Sequence, residues 1–185
     1  MELTSACVVL GAVLLTIEPN RPQFFRYESF NLTCGGAGWM LMRTPSQPVF
    51  PCDPKGRRNV SSCINRSAHM SDSDRYWCQS QSGECSNGLD ITVTTGVVIL
   101  EIPALPVTAG GKVTLTCSHK ERHDPKSSSN FSAKFYRNGT FIGQQPNGEL
   151  TFTSISKENE GFYKCEHPTA GQSPESWLAV EGSLT

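Results

Sequence analysis

Eight cysteines carry most of the chemical potential of this 185-residue chain: Cys7, Cys34, Cys52, Cys63, Cys78, Cys85, Cys117 and Cys165. Thiols coordinate metals, turn over in redox sites or form disulfides. Zinc ribbons and thioredoxin-type sites need closely spaced pairs such as C-x-x-C, and no two of these cysteines stand that close. A dispersed set suits disulfides made in an oxidising compartment. Five N-x-S/T sequons, at Asn31, Asn59, Asn65, Asn130 and Asn138, point to the same compartment, because this tripeptide accepts N-linked glycans. His119 and His123 have the spacing of a helical metal pair, but "SHKERHDPKSSSN" is polar and contains Pro125, so it reads as a solvated loop. No nucleophile elbow or other active-site constellation occurs, so no enzyme, metal site or cofactor is expected.

The elements that must hold these cysteines are strands. Short alternating runs between turn residues dominate, with no sustained helical period. "FNLTC" (30–34) alternates Phe30, Leu32 and Cys34, and "KVTLTC" (112–117) alternates Val113, Leu115 and Cys117. "DITVTT", "ELTFTSI" and "SWLAV" extend the pattern, and "RNG" and "PNG" are hairpin signals. The two halves repeat. Cys34 to Cys78 spans 44 residues and Cys117 to Cys165 spans 48; each stretch opens on L-T-C and closes on Y-x-C. Such spacing suits a bridge between two packed sheets, worth roughly 3–4 kcal/mol by loop closure. Tyr76 and Tyr163, two residues before the second cysteine, then stand where a tyrosine hydroxyl bonds the turn leading into its strand. Trp39 and Phe135 are the expected core aromatics beside the two bridges.

The expected fold is therefore all-β, two tandem β-sandwiches over 13–95 and 96–182, and these resemble immunoglobulin-like domains of the C2 type. The junction "TTGVVILEIPALPVTAGG" contains no long flexible linker, so the two should meet at a fixed or narrowly hinged angle. Residues 1–12 read as a signal peptide or its remnant, since Ala6 to Leu15 is an apolar run of leader length; a first strand is the other reading. No later segment approaches the ~18 apolar residues of a membrane span. The formal net charge of −1, from 16 basic and 17 acidic residues, gives no nucleic-acid footprint.

With "PNRPQFFRYESFNLTC", "SDSDRYWCQSQSGECSN", "VTLTCSHK", "FYRNG" and "GQSPESWLAV" in place, the chain resembles the paired C2-type domains of Fc receptors and Fc receptor-like proteins in their bony-fish form. The resemblance implies an antibody-contacting patch on the second domain. Carried over, it comprises 119–131 with His119 and Lys120, 141–145 with Phe141, 167–174 with His167, Pro168 and Pro174, and the junction 97–106 with Val97 and Leu105. The segments 97–106 and 167–174 would form an exposed, partly apolar surface. Antibody-binding relatives have tryptophans near the junction, where alignment puts Val97 and Leu105.

Aligning the repeats sets Cys63 at the inward position that Leu150 fills in the second half. Cys52 and Cys63 are expected to pair, with Cys52–Cys85 as the rival, and Cys85 is left as an unpaired loop thiol. The functional expectation is an extracellular immune receptor, or its ectodomain, that binds an immunoglobulin Fc or related host protein through the second domain. The alternative is a soluble decoy or adhesion module with a non-immunoglobulin ligand. Either way the partner is a protein, at the cell surface or in secretions. No nucleic acid or small-molecule substrate is involved, and membrane attachment would come only through a further segment or partner.

Overall fold

Alternation of apolar and polar residues places one face of each strand inward, and two such faces must cover each other. The computed structural model describes residues 14–44 and 61–182, with the backbone of Val8–Val9 and Gln47–Pro48. Cys7, Cys52 and Asn59 lie outside the described residues, as does most of the segment 1–12. Val8–Val9 pairs in parallel with Glu84–Cys85. Among the described residues no helix is long and apolar enough to cross a membrane.

In the first sandwich, Leu15–Glu18, Phe30–Cys34 and Ser62–Asn65 form an antiparallel sheet. The facing sheet contains Trp39–Arg43, Asp74–Ser80 and Leu89–Thr94, with Gln23–Phe25 added in parallel at its edge. Leu15, Ile17, Phe30 and Leu32 from one layer meet Leu41, Tyr76, Leu89 and Ile91 from the other. The second sandwich repeats the plan. Val98–Glu101, Val113–His119 and Glu149–Phe152 face a sheet of Ala133–Arg137, Thr140–Gln145, Gly161–His167 and Ser176–Leu178. Its core gathers Val98, Leu100, Leu115, Phe135, Ile155, Tyr163 and Leu178.

One disulfide crosses each core, Cys34–Cys78 and Cys117–Cys165, each with Cα atoms 5.8 Å apart. The tyrosine two residues earlier is buried, and its hydroxyl donates to a carbonyl four residues upstream: Tyr76 to Asp72 at 2.8 Å, Tyr163 to Asn159 at 2.5 Å. Each acceptor ends a 3₁₀ turn, Met70–Asp72 or Lys157–Asn159, so the phenol anchors the turn to the sheet. Burial pushes the Tyr76 phenol up to about 12 and raises that of Tyr163 as well.

Trp39 and Phe135 both lie on the strand that follows the first cysteine of each bridge, but at different pleats. Phe135 is fully buried opposite Cys165, but Leu41, not Trp39, stands opposite Cys78. Trp39 lies one pleat earlier, opposite Ser80, half-buried against the core. The matching pleat of the second sandwich holds Ala133. Large-then-medium in one domain answers small-then-large in the other, which conserves volume where interiors are close-packed.

Cys63 is buried at the register position opposite Leu32, as Leu150 is opposite Leu115. Cys63 and Cys85 are both disulfide-bonded, so Cys85 is not the unpaired thiol expected from cysteine counting. The Cys52–Cys63 pairing involves a residue outside the described ones.

Gln23 joins the two sandwiches. Its neighbour Phe24 enters the first core, so alternation turns the Gln23 side chain toward the second domain. There it is fully buried. Its Nε2 donates to the Pro174 carbonyl at 2.9 Å and the Ser176 hydroxyl at 2.8 Å, and its Oε1 accepts from the Leu100 N–H at 2.8 Å. Ala104 N–H adds a bond to Asn20 Oδ1 at 3.0 Å, and Arg21 is 3.9 Å from Glu101. A Gln23→Ala variant leaves the Leu100 N–H buried without its acceptor. It should lose about 1–3 kcal/mol in chemical unfolding and show a wider spread of dimensions in small-angle X-ray scattering; unchanged stability and scattering would contradict this role.

Candidate functional site

The Val113–His119 strand ends where His119 pairs with Ser128, the two exchanging backbone bonds of 2.8 Å. The intervening residues leave the sheet as a loop. Its first residue, Lys120, donates its N–H to the Val97 carbonyl at 2.9 Å, which ties the loop to the domain junction. The Gly161–His167 strand ends beside it. A turn then returns the chain to Gly171–Gln172.

The two strand ends meet through their side chains. The His119 and His167 rings stack with centroids 4.4 Å apart, and Phe131 lies 4.3 Å from His167. His119 Nε2 is 3.0 Å from Glu121 Oε1. His119 is therefore packed at the end of a strand, whereas the sequence placed it in solvated loop; the ring that packs it is 48 residues away and only the sheet brings it near. Exposed His123 takes no part. Among the described residues no group of three or more His, Cys, Asp or Glu side chains is placed to hold a metal ion.

His167 has a second role. Its Nδ1 accepts the backbone N–H groups of Thr169 at 3.1 Å and Ala170 at 3.0 Å. An acceptor nitrogen cannot carry a proton, so the turn is built on the neutral ring. Burial, then the neighbouring His119, lowers the His167 pKa from the ordinary 6.5, against an opposing pull from Glu121.

Next to this cluster lies a concavity of about 520 Å³ between the domains. Lys120, Glu121 and Arg122 line it from the second domain, and Phe25, Arg26 and Tyr27 from the first. Arg26 sits over the Tyr27 ring at 4.4 Å and Lys120 over Phe25 at 5.9 Å. Phe25 to Tyr27 were not among the sequence candidates. Their only signal was a run of apolar and basic residues in "PQFFRY", which alternation alone reads as strand.

Of the sequence candidates, the structure brings together His119, Lys120, His167 and the exposed Pro168. Val97 lines the same concavity and its carbonyl accepts the Lys120 N–H, whereas Phe141, Pro174 and Leu105 lie apart. Phe141 pairs with Tyr136 at the far end of its hairpin, whereas Gln145, the other end of that strand, lies opposite Ala133 near the loop. The Pro174 carbonyl is held by Gln23 inside the domain junction. The segment 97–106 is exposed only in part: Pro106 is exposed and Pro103 and Ala104 are half-buried. Val98, Ile99, Leu100 and Ile102 are buried, Val97 packs on the second core, and Leu105 packs on the first.

The pH response follows from the Nδ1 bonds. The unfolded ring takes up a proton near 6.5 and the folded ring only at lower pH. The stability supplied by the neutral ring is whole above about pH 6.5 and is lost as pH falls through the lowered folded value. Hydrogen-exchange protection of the Thr169 and Ala170 amides should fall over that range. A His167→Gln variant should abolish the pH-dependent step; protection that is flat with pH in the parent chain would contradict this account.

A family model described as "Immunoglobulin domain" matches residues 98–177. Mouse Fc receptor-like protein 5 is 24% identical over 156 residues, covering 82% of this chain. The chain spans 25% of that relative's length. Among solved structures, the second Ig-C2 domain of human Fc-receptor like A is 25% identical, with 46% of this chain and 98% of that one covered and a TM-score of 0.36. Murine CEACAM1b is 14% identical, with 91% of this chain and all of that one covered and a TM-score of 0.36. Two sandwiches, each with a core disulfide and a tyrosine bound to its own turn, and a family match over the second of them carry one conclusion: residues 98–177 form an immunoglobulin domain, the first sandwich repeats its plan, and the chain is similar to the Fc receptor-like proteins.

Proposed function

We propose that the chain is the extracellular part of an immune receptor and binds a protein ligand, an immunoglobulin Fc or a related host protein, through the junction-side end of its second domain. The observation that carries this reading is the meeting of His119, Phe131 and His167 beside the concavity that Lys120 and Arg122 share with Arg26 and Tyr27. Loops held by a rigid sandwich are where such folds bind. Aromatic side chains and Arg are the residue types that most often carry interface energy. The similarity to Fc receptor-like proteins favours a protein ligand and a place outside the cell. Asn130, an exposed sequon next to Phe131, would put a glycan at the rim of this site and narrow what can approach.

The antibody-contacting patch implied by family resemblance is redrawn here. Phe141, Pro174 and Leu105 drop out, and Arg26 and Tyr27 of the first domain enter. A ligand would therefore touch both domains, and its affinity would depend on the angle between them.

The test is surface binding of the secreted full chain to purified immunoglobulins from the same animal. The comparison variants are His167→Ala with Phe131→Ser, and Arg26→Ser with Tyr27→Ser. Saturable binding weakened at least tenfold by both pairs, an effect of about 1.4 kcal/mol, is the expected result. Binding that both pairs leave intact would move the site elsewhere. No binding by the parent chain at any accessible concentration would leave the adhesion or decoy reading, with a non-immunoglobulin ligand.

A further inference from the structure

The outward face of the five-stranded sheet in the second domain carries aromatic side chains. Phe162 and Trp177 are direct cross-strand partners, 49% and 47% exposed, with ring centroids 4.9 Å apart. Exposed rings placed side by side ask for a cover. A sequon, a place where a covering group can be attached, stands at the next hairpin.

Asn138 and Gly139 form that hairpin's two-residue turn, both with positive φ, 50° and 78°. The turn bends onto Phe162. The Asn138 N–H donates to the Phe162 carbonyl at 2.8 Å, and its Oδ1 accepts the Phe162 N–H at 3.0 Å. Gly161 permits this approach, since a Cβ there would come within 2.9 Å of Asn138 Oδ1 and 3.0 Å of Nδ2. The amide is thus clamped through its oxygen, while Nδ2 donates no hydrogen bond among the described residues. Asn138-Gly139-Thr140 is a sequon. Asn65 is the contrast: its Nδ2 already donates to Asp72 Oδ2 at 3.0 Å and its Oδ1 accepts the Ser67 N–H. Asn31 is half-buried within a strand.

We propose that Asn138 carries an N-linked glycan whose first sugars lie over the exposed Phe162–Trp177 pair. Attachment uses a polyprenyl-diphosphate oligosaccharide as donor. The Asn138 Nδ2–C1 bond forms as the bond from C1 to the diphosphate oxygen breaks. Nδ2 gives up one proton, and the polyprenyl diphosphate leaves. The Phe162 backbone holds the Asn138 amide through its oxygen, so the sugar begins next to the strand that carries the Phe162 ring. Sugar C–H bonds carry slight positive charge and the faces of aromatic rings slight negative charge, so the two attract as well as exclude water. The covered face is then closed to partners, and binding is left to the loop end of the domain.

The inference shares only passage through the secretory pathway with the proposed receptor function; it needs no ligand. The test uses the full chain secreted from cells that attach N-glycans. Glycopeptide mass spectrometry reads occupancy at each sequon. NMR of the isotope-labelled glycan reads its position. We expect Asn138 to be occupied and its innermost sugar protons to lie upfield of those on the free glycan through ring currents, an upfield shift that Trp177→Ser reduces or removes. Thr140→Ala removes the sequon but keeps the Asn138 clamp, so the fold survives, and this variant should bind more of a hydrophobic dye. A bare Asn138 beside an occupied Asn130 would overturn the inference while leaving secretion intact. An occupied Asn138 with unshifted sugar protons would overturn it too. So would a parent chain that self-associates through this face in sedimentation.

Discussion

The Gln23 side chain is buried where two apolar cores meet, and its amide makes three directed hydrogen bonds there, one to a backbone N–H, one to a backbone carbonyl and one to a hydroxyl. Apolar contact is indifferent to small sliding motions. A buried amide is not, because each misplaced bond leaves a polar group without water or partner. This one residue therefore sets the register between the sandwiches. Everything at the junction follows from that register: the connector buried strand-wise between the cores, the Lys120–Val97 bond, and the concavity that Phe25 to Tyr27 share with the loop of the second domain.

Within each sandwich the covalent and packing solutions differ although the plan is the same. Both use a core disulfide and a tyrosine bound to the turn below it. The second fills its centre with Phe135 and Tyr163 at full burial. The first has Leu41 at the corresponding pleat and leaves Trp39 half-exposed, and it commits Cys63 and Cys85 to further disulfides. In a small domain such cross-links add stability by restricting the unfolded chain.

The second domain divides its surface between two kinds of chemistry. At the junction end, histidines stack on one another, and cations stand over aromatic rings of the first domain. On the sheet face, neutral aromatics pair across strands next to a sequon. The loop end is also the more sensitive to conditions, since one neutral imidazole holds two backbone amides of the turn.

Strand positions, the two core bridges and the tyrosine contacts were legible because each is a local pattern. Alternation marks the inward face, and Y-x-C puts the tyrosine and cysteine on that same face. The repeat of L-T-C and Y-x-C then states that the sandwich occurs twice. Alternation does not say which inward residue stands opposite which, so only the register shows Leu41 opposite Cys78 and Trp39 opposite Ser80. It gives the inward face of a strand but not what covers the outward face. Gln23 and Pro174 become junction residues, and Val97 and Leu105 pack half-buried against the two cores, only when a second domain packs beside the first. His119 and His167 meet because two strands end side by side, a fact of sheet register with no trace in the spacing of the two histidines along the chain. The sequence by itself determined which residues face inward and which cysteines cross the cores. The tertiary structure decided which surface residues share a site, because that depends on contacts between elements far apart in the chain.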